Sequence, residues 1–195
     1  MKKITRLSTL VLLVMIGCGG SGGNSGGSVS GTVHGTSLNI QDAISASVTQ
    51  TPQGITTHTA LVVMANASNL CGDIAGNISH PNEQGVAISM IDVNGATFTT
   101  PTAPGTYAIY QSGSPPAKAA SLSVTVDDAT CKGIAASSAK ATSGTITLSA
   151  VSGNAFSGSF DVALDSGDHI TGSFSPEECP GIQTQLDMPT QPVCM

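Results

Sequence analysis

The stretch GTITLSAVSGNAFSGSFDVALDSGDHITGSF, residues 144–174, has the most regular pattern in this chain. Apolar side chains alternate along it with Ser, Thr and Asp, which is the period-2 pattern of strands that bury one face. The alternating apolar residues are Ile146, Leu148, Ala150, Phe156, Phe160, Val162, Leu164, Ile170 and Phe174. Short glycine-bearing turns at 152–154 and 165–168 separate the runs and favour antiparallel hairpins. The stretch therefore predicts a meander whose phenylalanines point inward.

A weak repeat of 14 residues runs through the same stretch. Gly-Thr-Ile at 144–146, Gly-Ser-Phe at 158–160 and Gly-Ser-Phe at 172–174 share a glycine, a hydroxyl residue and an apolar residue. A glycine inside a strand often marks a bend of the sheet or the close approach of another backbone. The repeat thus favours a curled sheet, in a sandwich or a barrel, over a flat one.

The alternation is weaker upstream of the meander. Strands are expected near 30–40, 42–49, 57–66, 85–93, 106–111 and 118–127. Residues 68–74 are expected to form one helical turn with Ser68 as its N-cap. From Pro176 onward, four prolines and two cysteines predict an extended tail that disulfides fasten to the surface. The predicted fold class is all-β, an antiparallel meander forming a sandwich or barrel of about eight strands, with one short helical turn.

The first 17 residues have the features of a secretory signal peptide. Three basic residues, Lys2, Lys3 and Arg6, precede an apolar stretch at 7–16. This stretch is too short for a membrane span, because a transmembrane helix needs about 20 apolar residues. We therefore expect residues 1–17 to be a leader that is removed.

The end of the leader, Met15-Ile16-Gly17-Cys18, resembles the lipobox of bacterial lipoproteins, although Met15 stands where that family prefers Leu. The resemblance implies that the Cys18 thiol takes a diacylglyceryl group, that the leader is cut before Cys18 and that the new amine is acylated. Two or more acyl chains anchor a protein stably in a lipid bilayer, whereas one chain binds marginally. An Asp directly after the cysteine would resemble an inner-membrane retention signal. Gly19 stands there instead, so the resemblance implies the outer membrane.

A tether and one domain follow the leader. Residues 18–28 combine the lipidated cysteine with a Gly/Ser-rich coil, and residues 29–195 are long enough to form a single domain with its own core. Three of the six basic residues lie in the leader, which leaves three lysines against 12 acidic residues. Nucleic acid is excluded as a partner, because its phosphates require clustered Lys and Arg.

Four cysteines remain besides Cys18. An even number in an exported chain predicts two disulfides, and the spacing lacks the paired ligands of a zinc site, so no metal is assigned. In an antiparallel meander, strand parity places Cys71 and Cys179 at one pole. Cys131 then lies at the opposite pole, within reach of Cys194. The predicted pairs are Cys71–Cys179 and Cys131–Cys194.

Few residues are suited to chemistry, and we assign no catalytic residue and no cofactor. His80, with Asn82 and Glu83, is a place where an imidazole and a carboxylate are close in a segment expected to be exposed. Tyr107 and Tyr110 are candidate aromatic contacts, and with Phe98 they would form a small patch for a sugar.

Three carboxylates, Asp161, Asp165 and Asp168, lie around one turn. Their oxygens suit Ca²⁺, but Asp and Gly are also the residues that a hairpin turn requires. We favour the turn.

The expected function is a membrane-anchored, non-enzymatic binding or structural module of the cell envelope. The alternation of strand directions places the loops 67–84, 112–117 and 152–154 at one pole of the domain. There a binding partner would contact His80, Asn82, Glu83 and Tyr110. A carbohydrate-binding β-sandwich module is the alternative. An envelope hydrolase that uses His80 and Glu83 is less favoured, because a hydrolase needs a base held beside its nucleophile.

Three short elements, Asn-Leu-Cys at 69–71, Pro-Gly-Thr-Tyr at 104–107 and Gly-Ser-Phe at 172–174, carry a second resemblance. Through them the body of the chain, residues 30–180, is similar to Ser/Thr/Gly-rich, low-charge β domains of predicted lipoproteins from Gram-negative bacteria. This resemblance implies a shared fold and a cell-envelope location, and it brings no activity and no catalytic residues.

Lipidation can be tested at the thiol that accepts the lipid. We expect Cys18→Ser to abolish labelling of the protein with radioactive palmitate. Cys131→Ser is the matched control, because it removes another cysteine and leaves Cys18 in place. Unchanged labelling of the Cys18→Ser protein would contradict the lipobox interpretation.

Overall fold

The computed structural model describes residues 26–51, 54–187 and 191–195, and β-strands dominate it. In chain order the strands are β1 (Gly26–Val33), β2 (Thr36–Ser37), β3 (Asp42–Gln50), β4 (Thr57–Ala65), β5 (Ile78–Ser79), β6 (Gln84–Asn94), β7 (Thr97–Thr99), β8 (Gly105–Ile109), β9 (Lys118–Val126), β10 (Ala139–Ser152), β11 (Ala155–Leu164), β12 (His169–Ser175), β13 (Glu177–Glu178) and β14 (Val193–Cys194). The helices are α1 (Leu70–Gly76) and α2 (Gly181–Asp187), and a 3₁₀ turn spans Ala135–Ser137.

Cys18 and the lipobox lie outside the described residues. β1 begins at Gly26, so the last three residues of the predicted tether, 26–28, belong to a strand. Neither described helix has the length and apolar character needed to cross a bilayer.

One mixed sheet of 12 strands curls into a half-barrel, in the order β13-β3-β4-β7-β6-β9-β8-β10-β11-β12-β1-β2. β5 and β14 form a separate two-stranded ribbon. The prediction of a mostly β chain is confirmed. The sandwich or barrel of about eight antiparallel strands is not matched, because short strands extend the sheet and some of its pairings are parallel.

The meander is present from β10 to β12, where each strand pairs antiparallel with the next. Upstream the meander prediction is wrong, because β8 runs parallel to β9 with Ala108 beside Ala119 and antiparallel to β10. The connection from β8 to β9 contains Gly113, Pro115 and Pro116 and is a wide loop. This loop brings the chain back to the end of the sheet where β8 began, so that β9 runs in the same direction as β8.

Two of the three glycines of the repeat lie where phenyl rings of the neighbouring strand pass over the backbone. Gly158 on β11 is opposite Phe174 on β12, and Gly172 on β12 is opposite Phe160 on β11. A Cβ on Gly158 would be 2.8 Å from Cζ of Phe174, and one on Gly172 would overlap both Phe160 and the carbonyl oxygen of Ser28. Because no Cβ is present, ring and backbone come into contact and the sheet can curl there.

Two apolar clusters stabilise the fold. The main core fills the inside of the curl and contains the three inward phenylalanines, as predicted, each at most 3% exposed. The second core lies on the opposite face of β3 and β4, where α1 and α2 cover it. Its buried members are Ile44, Ala46, Val48, Ala65, Ala67, Leu70, Cys179 and Ile182.

The C-terminal segment is not the extended tail that the prolines suggested. β13 pairs parallel with β3, and α2 contacts α1 and β3. The helical turn predicted at 68–74 is α1, whose N-cap is Asn69 and not Ser68. The Leu70 N–H donates to the carboxylate of Asp42, 3.0 Å away.

Both disulfides have the predicted connectivity, Cys71–Cys179 and Cys131–Cys194. The strand-parity argument for it is wrong, because the parallel pair β8–β9 breaks the alternation of directions. Cys131 is not at the opposite pole. Cys194 lies on β14, which pairs with β5. Because β5 follows α1, which contains Cys71, both disulfides attach the C-terminal segment at the same end of the molecule.

The ring-over-glycine contact predicts a large effect of one methyl group. We expect Gly172→Ala to lower the free energy of unfolding by about 1–3 kcal/mol, because its Cβ overlaps the ring of Phe160 and a β1 carbonyl. The measurement is denaturant unfolding followed by circular dichroism. Gly133→Ala is the control, since its Cβ would meet no atom closer than 3.8 Å. Equal stabilities of the two variants would refute the packing role.

Candidate functional site

A groove of about 540 Å³ lies on the face of the sheet that points away from the main core. Its volume falls within the range of about 300–1,000 Å³ that is typical of small-molecule sites. Strands β3, β4, β6 and β9 supply its floor, the segment after β8 supplies one side and α2 the other. The lining residues are Val48, Gln50, Thr57, Thr59, Leu61, Ser89, Ile91, Tyr110, Gln111, Ala119, Ala120, Ser121 and Leu186.

Strand register forms the floor of the groove. Leu61 on β4 is beside Ser89 on β6, and Ser89 is beside Ser121 on β9. Their neighbours along each strand point into the main core, so alternation directs these three side chains outward. Ser is short, and the floor is therefore lower than the sides, where Tyr110 and Leu186 stand.

The two sides are held by hydrogen bonds to the sheet. The backbone N–H of Tyr110 donates to the carbonyl of Ala120 at 2.9 Å, and its hydroxyl donates to the carbonyl of Gly113. On the α2 side, the amide of Gln183 donates to the carbonyl of Thr49 at 3.2 Å. The Tyr110 ring is thus fixed at the edge of the groove, beside β9.

Hydroxyl and amide groups face the groove, and none of the described residues that line it is charged. Within the described part of the chain, the side chains of Thr59, Ser89 and Ser121 have no hydrogen-bond partner. Gln111 uses one amide hydrogen, which it donates to the Ala141 carbonyl at 2.7 Å. The groove therefore offers free donors and acceptors between patches of apolar surface.

A second depression, of about 550 Å³, adjoins the first on the β10 side. Tyr110, Gln111 and Ser121 line both, so the tyrosine stands between two halves of one surface. Lys140 and Asp165 bring charge to the second half only. The Asp165 carboxylate accepts the backbone N–H of Lys140 at 2.9 Å.

Tyr107 is not part of an exposed aromatic patch, and that expectation is wrong. Its side chain is fully buried, because alternation along β8 turns it into the main core. The hydroxyl donates to Asp92 at 2.9 Å and accepts from the Lys118 ammonium at 3.1 Å. Burial raises the pKa of Tyr107, and the hydrogen bond with Tyr107 raises the pKa of Lys118. Phe98 is half-buried on β7.

His80, Asn82 and Glu83 form a loop in which the polar groups bind one another. The His80 ring is 2.9 Å from the carboxylate of Asp73, while the Glu83 carboxylate accepts the backbone N–H of His80 at 3.1 Å. Asn82 has a left-handed backbone, φ 58°, and its N–H donates to the Asp128 carbonyl at 2.9 Å. Glu83 thus shapes the loop and is not directed at the imidazole.

The structure does not bring this loop to Tyr110. The Glu83 carbonyl accepts the N–H of Asp127, just beyond the end of β9, while Tyr110 binds Ala120 near its start. A strand rises about 3.3 Å per residue, which separates the two points by about 20 Å. The prediction of one recognition pole containing both His80 and Tyr110 is therefore wrong.

The three carboxylates considered for Ca²⁺ each bind a different group. Asp161 is 2.7 Å from the His169 ring, and Asp165 accepts the Lys140 N–H. Asp168 accepts from the Ser166 hydroxyl, at 2.7 Å, and from the His34 N–H. These two bonds, the one from Ser166 first, lower the pKa of Asp168. No three His, Cys, Asp or Glu side chains are grouped to hold a metal in the ranges that the structure describes.

The groove residues other than Tyr110 were missed by the sequence analysis. Their local signal is weak, a serine in an outward position on β6 and another on β9, and any solvent-facing strand can show it. Comparison of the chain with protein-family models, with curated proteins and with solved structures finds no match.

The burial of Tyr107 predicts its titration. The chain has two tyrosines, so Tyr110→Phe isolates the phenolate absorbance of Tyr107. We expect a midpoint above 10 in the folded protein and about 10 in denaturant. Because the folded pKa is the higher one, this group stabilises the fold below pH 10, and its contribution is lost as the pH rises through the folded pKa. A folded midpoint at or below 10 would contradict the burial.

Proposed function

We propose that this chain is a lipid-anchored, non-enzymatic binding module of the bacterial cell envelope, and that the groove beside Tyr110 is its binding surface. The chemical groups that line the groove support this proposal. Hydroxyl, amide and aromatic groups converge on the groove, and its lining contains no charged side chain in the part of the chain that the structure describes. Donors, acceptors and apolar surface are what binding requires, whereas hydrolysis requires a base beside a nucleophile.

The N-terminal sequence supports the anchor and the outer membrane as its location. The lipobox resemblance ends at Cys18, and Gly19 follows it. Only the seven residues 19–25, all Gly, Ser or Asn, separate Cys18 from the start of β1 at Gly26, and seven residues span at most about 25 Å. The domain would therefore work close to a membrane surface, on components of the envelope.

The His–carboxylate pairs support binding over hydrolysis. His80 pairs with Asp73, and His169 pairs with Asp161. In neither pair does a hydroxyl of the described residues donate to the imidazole, which is the contact that activates a Ser or Thr nucleophile. His58 is 3.0 Å from the hydroxyl of Thr49, but none of the described carboxylates pairs with His58 to orient its ring. Both pairs also lie outside the groove lining.

A bulky side chain in the groove provides the test. Ser121 is exposed and lines both depressions, so Ser121→Phe would fill the groove while keeping a residue that strands accept. The full chain carrying Cys18→Ser is incubated with isolated cell-envelope material and sedimented. We expect the parent protein to sediment and Ser121→Phe to lose most of that binding.

Thr147→Phe is the control for this experiment, because Thr147 is exposed on β10 and outside the groove. It is expected to sediment like the parent protein. Failure of the parent protein to sediment would contradict the binding module. Equal sedimentation of Ser121→Phe and the parent would show that binding uses another surface.

A further inference from the structure

We infer that the groove takes an uncharged carbohydrate chain, with Tyr110 as the platform for a sugar ring; this rests on the proposed function. The floor of the groove has unused hydrogen-bonding capacity. Thr59, Ser89 and Ser121 point into the groove without a partner among the described residues, and each hydroxyl can both donate and accept. A ligand that covers them must supply groups of both kinds.

Sugar hydroxyls meet this requirement and an acyl chain does not. An apolar ligand would bury the floor hydroxyls unsatisfied, and each such burial weakens binding. The amide of Gln111 at the rim adds directional donors and acceptors, of which one hydrogen is already used by Ala141. The arrangement therefore favours a polar ligand with many hydroxyl groups over a lipid.

The apolar part of the lining matches the other face of a sugar. Leu61 and Ile91 lie between the hydroxyls, and the ring of Tyr110 stands at the edge of the groove. A pyranose presents C–H groups on one face and hydroxyls around its rim, and an aromatic ring offers it a flat amphipathic surface. The bond from the Tyr110 hydroxyl to the Gly113 carbonyl fixes the ring before the ligand arrives.

The charge distribution of the protein favours an uncharged glycan as the ligand. Among the residues that the structure describes, none that lines the first depression is charged, and outside the leader the protein has three lysines against 12 acidic residues. An anionic glycan would be repelled by this field and would find no cation in the first depression. Because both depressions share Tyr110, a linear chain of several sugars can continue from one to the other across the ring.

Calorimetry with defined oligosaccharides tests the inference. The probes are maltohexaose, cellohexaose, mannohexaose and chitohexaose, with hexagalacturonate as the anionic comparison, added to the full chain carrying Cys18→Ser. We expect saturable binding of at least one neutral probe. Hexagalacturonate is expected to bind at least about tenfold more weakly.

Groove variants locate the binding. Tyr110→Ala is expected to raise the Kd about tenfold, and Thr59→Val, which removes a hydroxyl at nearly constant volume, about fivefold. Tyr110→Phe keeps the ring and most of the affinity. Thr147→Val removes an exposed hydroxyl outside the groove and is expected to bind like the parent. Circular dichroism checks that each variant is folded. If Tyr110→Ala does not fold, the Kd of Thr59→Val still shows whether the groove binds the sugar.

The outcomes separate the inference from the proposed function. If no neutral probe binds while envelope sedimentation still depends on Ser121, the carbohydrate inference is overturned and the binding module stands. If a neutral probe binds but Tyr110→Ala and Thr59→Val bind equally well, the groove is the wrong place. Binding of hexagalacturonate as tight as that of the best neutral probe would overturn the charge argument.

Discussion

Between β11 and β12, phenyl rings pack directly on the backbone of two glycines, and this contact allows the sheet to curl. Gly158 and Gly172 leave the room that Phe174 and Phe160 occupy, and strands joined in this way curl more tightly than a regular pleated sheet. The curl brings β3 to the β10–β11 turn, where the buried hydroxyl of Ser45 donates to the Asn154 carbonyl at 2.9 Å. The main core is thereby enclosed.

Closure of the curl also determines where the C-terminal segment goes. The chain leaves β12 directly onto β3, forming β13, and Cys179 then bonds to Cys71. A disulfide across 108 residues stabilises the fold mainly by restricting the unfolded chain. It holds α2 over the second core, and Leu186 of that helix becomes one side of the groove.

The same geometry explains why the candidate site is on the outside of the sheet. The inside is filled by apolar side chains, so a ligand can meet only the outward residues of β4, β6 and β9. Because the serine side chains in these positions are short, the floor of the groove lies lower than its sides. The parallel return of β8 beside β9 places Tyr110 at the edge of this floor. A fold that buries most of its large side chains thus keeps one aromatic ring beside free hydroxyls.

Residues 144–174 by themselves determined the hairpins, the inward phenylalanines and the curled sheet, because period-2 alternation and glycine are local signals. The cysteine pairing was also predicted, although by a parity argument that the parallel strands invalidate. Only the tertiary structure decided that Tyr107 is buried, that α2 replaces an extended tail and that Ser89, Ser121 and Tyr110 share a groove. These features depend on which strands become neighbours, and residues far apart in the chain carry no local pattern for that.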